Sequence, residues 1–343
     1  MLTMRDIADE LGVSVSTVSL VLNDRDRGRV RREIADQVRA RAEELGYVPN
    51  VLARGLKTKK SHTLGLLADR VATVPFGGHM LAGAQRAAWE LDFLLMVIDT
   101  DGNRAMDGPA TQSFLQRDVE ALIIAADFHR EVSVPATPRH LPTVVLDGWP
   151  DDPARADGVV PDERGGGRTA TERLLAAGHR RVGMLTVEGD TYVAAAMRRE
   201  GYEDALRDAG VGTDPALVHS VPEPSTRAAI PAVREVLTSA DRPTALFCFS
   251  DQIALAVFQV AATLGIRIPA DLSVVGFDNQ QFVADATLPG LTTVQLPHYE
   301  MGAWAARRAI SRIRGGADEP TTVERIPCGL VERESVAPPR DRA

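Results

Sequence analysis

The sequence predicts an all-α head joined to an α/β body of two lobes, each built on a doubly wound parallel sheet. Three observations carry this. Helical periodicity fills residues 3–45, with no strand-like run among them. From Thr63 onward, short apolar runs alternate with amphipathic helical stretches, the pattern of parallel sheets with right-handed crossovers. Charge divides at the same place. Residues 1–60 carry 12 Lys+Arg against 9 Asp+Glu and the remainder 27 against 38, although the whole chain has a net charge of −8. A basic head on an acidic body is the distribution expected when the head alone meets nucleic acid.

Within the head, Thr3 is placed to cap a helix with Asp6 in its first turn and Ile7, Ala8 and Leu11 on one face. Gly12 suits the left-handed turn that ends it. Ser14 caps a second helix, whose Val18, Val21 and Leu22 pack on the first and whose Val15, Ser16 and Ser19 face away. A third helix, Glu33 to Leu45, buries Ile34, Val38, Ala42 and Leu45 and exposes Arg39 and Arg41. This order is the helix-turn-helix plan. Small hydroxyl residues on the second helix let its backbone approach a major groove about 12 Å wide. The alternative is a small buried helix whose Ser and Thr bond back to their own backbone.

In the body, strands are expected at 63–68, 94–99, 121–126, 143–148, 181–187, 245–250 and 272–278. Helices are expected near 78–91, 108–117, 164–177, 194–209, 226–238, 251–264 and 299–314. Several strands end in polar residues: Asp69, Asp99, Asp147, Ser250-Asp251 and Asp278-Asn279. Ligands of such lobes sit beyond the carboxyl ends of the strands. Asp251, just before "QIALAVF", also reads as a helix cap. The "GGGRTA" run (165–170) matches a dinucleotide fingerprint, but the "VVPDER" before it is broken by Pro161 and acidic, so a glycine-rich helix start is the better reading. No lysine follows Lys60, which excludes a Walker A loop in the body, and G-x-S-x-G, H-E-x-x-H and C-x-x-C are all missing. The seven histidines lack metal spacing, so no metal or cofactor is expected. Apolar runs such as "ALIIAA" are too short for a bilayer, and the acidic N-terminus lacks the apolar core of a secretory signal, so the expected location is cytoplasmic and away from membranes. Cys248 and Cys328 sit in apolar surroundings and read as reduced core thiols.

The segments "TMRDIADELGVSVSTVSLVLN", "ARAEELGYVPNVLARGLKTKKSHTLGLL", "LLAAGHRRVGML", "RREGYEDAL", "FCFSDQIAL", "IPADLSVVGFDN" and "LTTVQLP" resemble the lactose-repressor (LacI/GalR) family of bacterial transcription regulators. The resemblance runs from residue 3 to about 335. It implies a helix-turn-helix DNA-binding domain at 1–48, a hinge helix and linker at 49–60, and a body resembling periplasmic sugar-binding proteins at 61–343. Lobe 1 is expected at about 61–161 and 292–322, lobe 2 at about 162–291 and 323–337. Base readout falls to Val15 and Ser16, with Leu20 one turn on. Val15 and Leu20 reach thymine methyls but make no bidentate pair, so much of the specificity is expected from methyl contacts and DNA shape. Thr3, Ser14, Thr17, Ser19, Asn23 and Arg31 complete the expected DNA face of the head. The loop before the third helix looks two residues longer than usual and lacks a Ser/Thr cap. Arg27, Arg29, Arg31 and Arg32 in and beside it are placed to reach phosphates.

In the hinge, Asn50 caps a short helix carrying Ala53, Arg54 and Leu56. Leu56 matches the side chain that wedges into the minor groove at a cost of a few kcal/mol of unstacking. Lys57, Lys59 and Lys60 add phosphate contacts. In the body, the resemblance puts Asp147, Arg198, Ser250 and Asp278 on the ligand, with Asp69 at the cleft and Phe76 and Trp149 as an apolar wall. Ala125 stands where some relatives have a polar contact, which argues against a lactose-like ligand. The implied function is a homodimeric repressor on a pseudopalindromic double-stranded operator, controlled by a small effector, a sugar or its derivative. The competing reading is a cytoplasmic carbohydrate-binding protein or enzyme with a vestigial basic head. No heptad repeat follows residue 315, so the tetramerising tail of some relatives is not expected.

Overall fold

The structure is a computed structural model that describes residues 2–47, 60–71, 73–74, 76–138, 140–315 and 319–340. The expected hinge, with Asn50, Ala53, Arg54, Leu56 and Lys57, lies outside the described residues. The chain forms two compact units, Met1–Ser61 and His62–Ala343.

The first unit contains α1 (Met4–Leu11), α2 (Val15–Leu22) and α3 (Arg32–Glu44). Thr3 and Asp6 form a reciprocal capping box: Asp6 Oδ2 accepts from the Thr3 backbone N–H at 2.6 Å, and Thr3 Oγ1 accepts from Asp6 N–H at 3.4 Å. Gly12 ends α1 in the left-handed region at φ 66°, a conformation that would strain a residue with a Cβ. Ser14 caps α2 through Thr17 N–H at 3.1 Å. Ile7, Ala8, Val18, Val21, Ala35, Val38 and Ala42 form the core. Ala35 takes the buried place expected of Ile34, which is half-buried. Arg39 is exposed as expected and Arg41 is half-buried, and both are engaged in ion pairs. Arg39 grips Asp26 with two contacts of 2.9 and 3.0 Å, and Arg41 pairs with Glu10 and Glu44. The long loop before α3 is therefore organised around Asp26, which is 9% exposed. Arg31 stands at the N-cap of α3 with no side-chain cap bond.

The second unit holds two six-stranded sheets. Lobe 1 has β1 (Thr63–Ala68), β2 (Leu94–Asp99), β3 (Ala121–Val132), β4 (Thr143–Pro150) and β5 (Asp157–Pro161), with α4 (Gly77–Glu90) and α5 (Asp107–Leu115). Lobe 2 opens with α6 (Glu163–Ala176), β6 (Val182–Val187), α7 (Val193–Asp208), β7 (Val218–Val221) and α8 (Thr226–Thr238). It continues with β8 (Ala245–Cys248), α9 (Asp251–Leu264), β9 (Ser273–Asp278) and β10 (Thr292–Gln295). The chain then returns to lobe 1 for α10 (His298–Ile313) and β11 (Val323–Ile326), and to lobe 2 for β12 (Gly329–Val331). The orders are β11-β5-β4-β3-β1-β2 and β12-β10-β9-β8-β6-β7, parallel except for the β10–β12 pair. Alternate residues feed the two faces: Leu64, Leu66 and Ala68 enter one core cluster and Leu67 the other.

The strand pairing moves two expected lobe boundaries. Residues 292–295 pair with β9 and belong to lobe 2; residues 323–326 pair with β5 and belong to lobe 1. Both strands have four residues at a lobe crossing, too short for periodicity to assign. The "GGGRTA" run is helix packing. A Cβ on Gly167 would meet the Arg198 carbonyl at 2.3 Å, and one on Gly201 the Arg164 carbonyl at 2.0 Å, so α6 and α7 lie backbone to backbone. On α10, Arg312 holds buried Asp157 at the start of β5, with Nε–Oδ2 at 2.8 Å and Nη2–Oδ1 at 2.9 Å. Cys248 and Cys328 are buried, and burial pushes both thiols far up. Among the described residues, no helix is long and apolar enough to cross a membrane.

Candidate functional site

In the first unit, Val15 is 41% exposed at the first position of α2, beside exposed Ser16; Ser19 and Leu20 are half-buried. Thr3 and Ser14 serve as caps. Thr17 Oγ1 lies 2.9 Å from Ser14 Oγ, and Asn23 donates its side-chain amide to the Ser19 carbonyl at 2.7 Å. Those four side chains thus set the two helix starts and the end of α2, and Val15 and Ser16 are left to meet a partner. Helix starts also turn backbone N–H groups outward, a ready anion site. Arg25, Arg27, Arg29 and Arg31 are exposed and make no ion pair among the described residues.

In the second unit, the strand ends and helix starts of the two lobes face a cavity of about 300 Å³. Glu163, the first residue of α6, comes from one lobe crossing, and His298, the first of α10, from another. β4 turns at Asp147 with φ 61°, and β9 at Asp278 with φ 105°. Left-handed backbone off glycine costs about 1–3 kcal/mol and persists only where the surrounding structure over-determines it. Both carboxylates line the cavity.

Arg198 on α7 is the hub and is 3% exposed. Its Nε donates to Glu163 Oε2 at 2.7 Å, its Nη1 donates to the Phe249 carbonyl, and its Nη1 lies 3.7 Å from Asp278 Oδ1. The guanidinium lies 3.6 Å from the Phe277 ring centre and 4.4 Å from that of Phe249, a desolvated cation–π arrangement. Burial alone would raise Glu163, but Arg198 and His129 outweigh it and hold the carboxyl at about 2. Asp147 has no such support: burial dominates and pushes it up to about 7, against the pull of His129. Burial raises both Asp278 and Asp251; the Asp278 charge adds to the rise of Asp251, and the Glu163 charge to that of Asp278. His298 is stacked on Phe76, ring centres 4.7 Å apart, and burial drives its imidazole down to about 3.

Of the expected ligand residues, the structure brings Phe76, Asp147, Arg198, Ser250 and Asp278 to one cavity. Asp69 is not among them. Its Oδ2 binds Arg130 at 2.6 Å, because β3 runs six residues beyond its expected end and carries Arg130 across the end of β1. Trp149 does not line the cavity either; it sits edge-on to His129 at 5.3 Å and backs that ring. Ser250, not Asp251, caps α9, through Ile253 N–H at 3.3 Å. Asp251 instead ties the start of α9 to the segment just after β9 and to β10, accepting from Gln280 N–H at 2.7 Å and Thr293 Oγ1 at 2.6 Å. The sequence reading missed Glu163, His129, Tyr192, Phe249 and His298, all in the lining. An adjoining hollow of about 390 Å³ shares Phe76, Asp278 and His298 and leads outward past Phe282. The smaller one holds the buried charges and is the binding site candidate.

A helix-turn-helix unit followed by a two-lobed binding unit defines a DNA-binding regulator with a ligand chamber, and the comparisons agree. The description "Bacterial regulatory proteins, lacI family" matches residues 3–50, and "Periplasmic binding protein-like domain" matches residues 171–336. The ribose operon repressor of Haemophilus influenzae is 32% identical over 98% of this chain and 99% of its own length. A lac repressor dimer bound to operator and the anti-inducer ONPF superposes with a TM-score of 0.77 at 25% identity, over 98% of this chain and 99% of that one. A complex of the regulator CelR with cellobiose gives 0.64 at 29%, over 98% and 100%. The chain belongs to the lacI family of bacterial regulatory proteins. It is a DNA-binding transcriptional regulator and not an enzyme.

Proposed function

We propose that this regulator is a cytoplasmic repressor whose hold on its operator is set by a sugar or sugar derivative bound between the lobes of the body. The observation that carries the ligand reading is the buried Arg198–Glu163–Asp278 assembly with Asp147, set in an aromatic-lined cavity at strand ends. Asp147 and Asp278 accept hydroxyl donors, and Phe76 and Phe249 cover the apolar face of a ring. Its volume lies at the low end of the roughly 300–1,000 Å³ usual for ligand pockets, which suits a monosaccharide. Ribose and cellobiose chemistry among the relatives supports the class.

The head reads DNA through Val15 and Ser16, aided by Ser19 and Leu20, with Arg27, Arg29, Arg31 and Arg32 on phosphates. One short helix reads only a few base pairs, so a homodimer on a pseudopalindrome supplies the rest. Phe282 and Leu288, 85% and 96% exposed, offer apolar surface for a second copy. In this reading Asn50, Ala53, Arg54, Leu56 and Lys57 also meet the operator. The effector acts by binding one lobe arrangement better than the other.

Anisotropy of labelled genomic fragments, with and without a sugar panel, tests this on the full-length protein. DNA affinity should fall steeply with salt, and one sugar should change it. Arg198→Lys should keep DNA binding and lose the response. A salt-independent affinity, or an Arg198→Lys protein that still responds, would sink the reading.

A further inference from the structure

The cavity holds more acid than it balances. Asp147, Glu163 and Asp278 face one guanidinium, Arg198, and one imidazole, His129, which stands 3.7 Å from Glu163 Oε1, so even a charged His129 leaves one acid over. That guanidinium is already committed to Glu163, to the Phe249 carbonyl and to the neighbourhood of Asp278. Asp147 is left with no guanidinium of its own. It is 4% exposed, and its Oδ1 is buried without a hydrogen-bond donor. Asp127 and Asp69 also carry a buried Oδ1 without a hydrogen bond, but each has a guanidinium beside it: Asp127 lies 3.3 Å from Arg70 and 3.5 Å from Arg130, and Asp69 binds Arg130. His298 adds no charge, since burial keeps it neutral at physiological pH.

A buried carboxylate without donors is costly, and a net buried charge is costlier. A hydroxyl group would give Asp147 a donor yet leave the excess negative charge in place. An ammonium group supplies donors and the missing charge together. A uronate or sugar phosphate would add to the excess.

We propose that the effector is an amino sugar whose ammonium group seats against Asp147, and that the cavity rejects anionic sugars. The proposal rests on the reading that the cavity takes a sugar at all. Asp147 sits in left-handed backbone where the β4–β5 register shifts, between Leu146 and Gly148, and its carboxylate lines the cavity between the lobes. Phe76 and Phe249 remain for the sugar ring. Burial holds Asp147 near its midpoint at neutral pH, under the influence of His129, Glu163, Arg198 and Asp127. An arriving ammonium favours the ionised form, so binding expels a proton.

Calorimetry on the full-length protein at neutral pH decides the matter, using glucosamine, galactosamine and mannosamine beside their parent hexoses, their N-acetyl forms and the matching uronic acids. At least one amine should bind roughly ten- to hundredfold tighter than its parent. Uronates should give no heat, and the amine's enthalpy should change between buffers of different ionisation heat because a proton is released. Asp147→Asn should drive the amine-to-parent ratio toward one and abolish the buffer dependence; its melting temperature serves as the folding control. An amine that binds no tighter than its parent, a uronate that binds as well, or a ratio that survives Asp147→Asn overturns the proposal. If hexoses bind, and lose binding in Arg198→Lys, while amines gain nothing, the sugar cavity stands and only the charge inference falls. If no sugar of any charge binds, both fall.

Discussion

Replacing Asp147 by Asn should stabilise the empty protein at alkaline pH and leave it unchanged in acid. The wild-type carboxyl titrates at about 7 in the folded protein against 3.8 for an unperturbed group. Its folded form therefore binds the proton more tightly than its unfolded form. The sign follows from linkage: below the unfolded value both states are protonated and there is no penalty; as pH rises toward 7 a penalty builds, and above 7 it is constant. At about 1.4 kcal/mol per unit the plateau is on the order of 4 kcal/mol, an upper figure because water entry and relaxation reduce it. Asn has the shape of the protonated acid and carries no charge to desolvate. Wild type and Asp147→Asn are compared by calorimetric melting from pH 4 to pH 8.5, following the transition of the body. A domain of this size shifts by about 2–4 °C per kcal/mol, so a realised gain of half the upper figure gives several degrees at pH 8.5 and almost none at pH 4. A gain that is the same at every pH, or a variant less stable than wild type at pH 8.5, refutes the electrostatic account. The comparison is paired, so the titration of Glu163 cancels.

Glu163 itself runs the opposite way: its folded value of about 2 lies below the ordinary 4.5, so the stability it lends is full above pH 4.5 and lost as pH falls toward 2. Glu163→Gln strands the buried Arg198 charge and should cost about 3 kcal/mol or more in denaturant titrations at pH 7. Gly201→Ala drives a methyl into the Arg164 carbonyl, parts α6 from α7 and should cost roughly 1–3 kcal/mol while weakening effector binding, because α7 carries Arg198. An unchanged effector affinity in that variant would separate packing from the site. Val15→Ala and Leu20→Ala should flatten operator preference in a randomised-site selection; an unaltered consensus would remove methyl contact from the explanation. Arg29→Ala should lower DNA affinity evenly across sequences and reduce the slope of log affinity against log salt by about one; an unchanged slope takes Arg29 off the phosphates.

The long elements were legible because their patterns are internal. Apolar runs such as 63–68 and 94–99 coincide with β1 and β2, and the helical stretch 226–238 with α8. β5, β7, β10, β11 and β12 were not, since three to five residues on or near a sheet edge have no room for a period. The same limit misassigned residues 292–295 and 323–326. At the site, Asp147 and Asp278 stood at strand ends, where the general rule looks. Asp69 stood at one too, but the length of β3, invisible in an apolar run that stops at residue 126, brings Arg130 to it. Glu163 and His298 were hidden for another reason: a polar residue opening a helix reads as a cap, and only the three-dimensional return of the chain turns these two inward. His129 lies in a stretch of mixed polarity whose strand character comes from pairing with β4.

The threading of the body also sets an order of manufacture. The first lobe's sheet and its α4 emerge early, yet Arg312, the partner that neutralises buried Asp157, lies on α10. More than 130 residues separate Pro161 from His298, and at roughly 5–20 residues per second a ribosome needs about 7–27 s to supply them. Meanwhile the apolar face destined for α10 is bare. The sheet of the second lobe lacks only β12 by residue 295 and can consolidate first, so the half of the body that is begun earlier waits longer for its covering helix. Chaperone dependence during synthesis should concentrate on that waiting half.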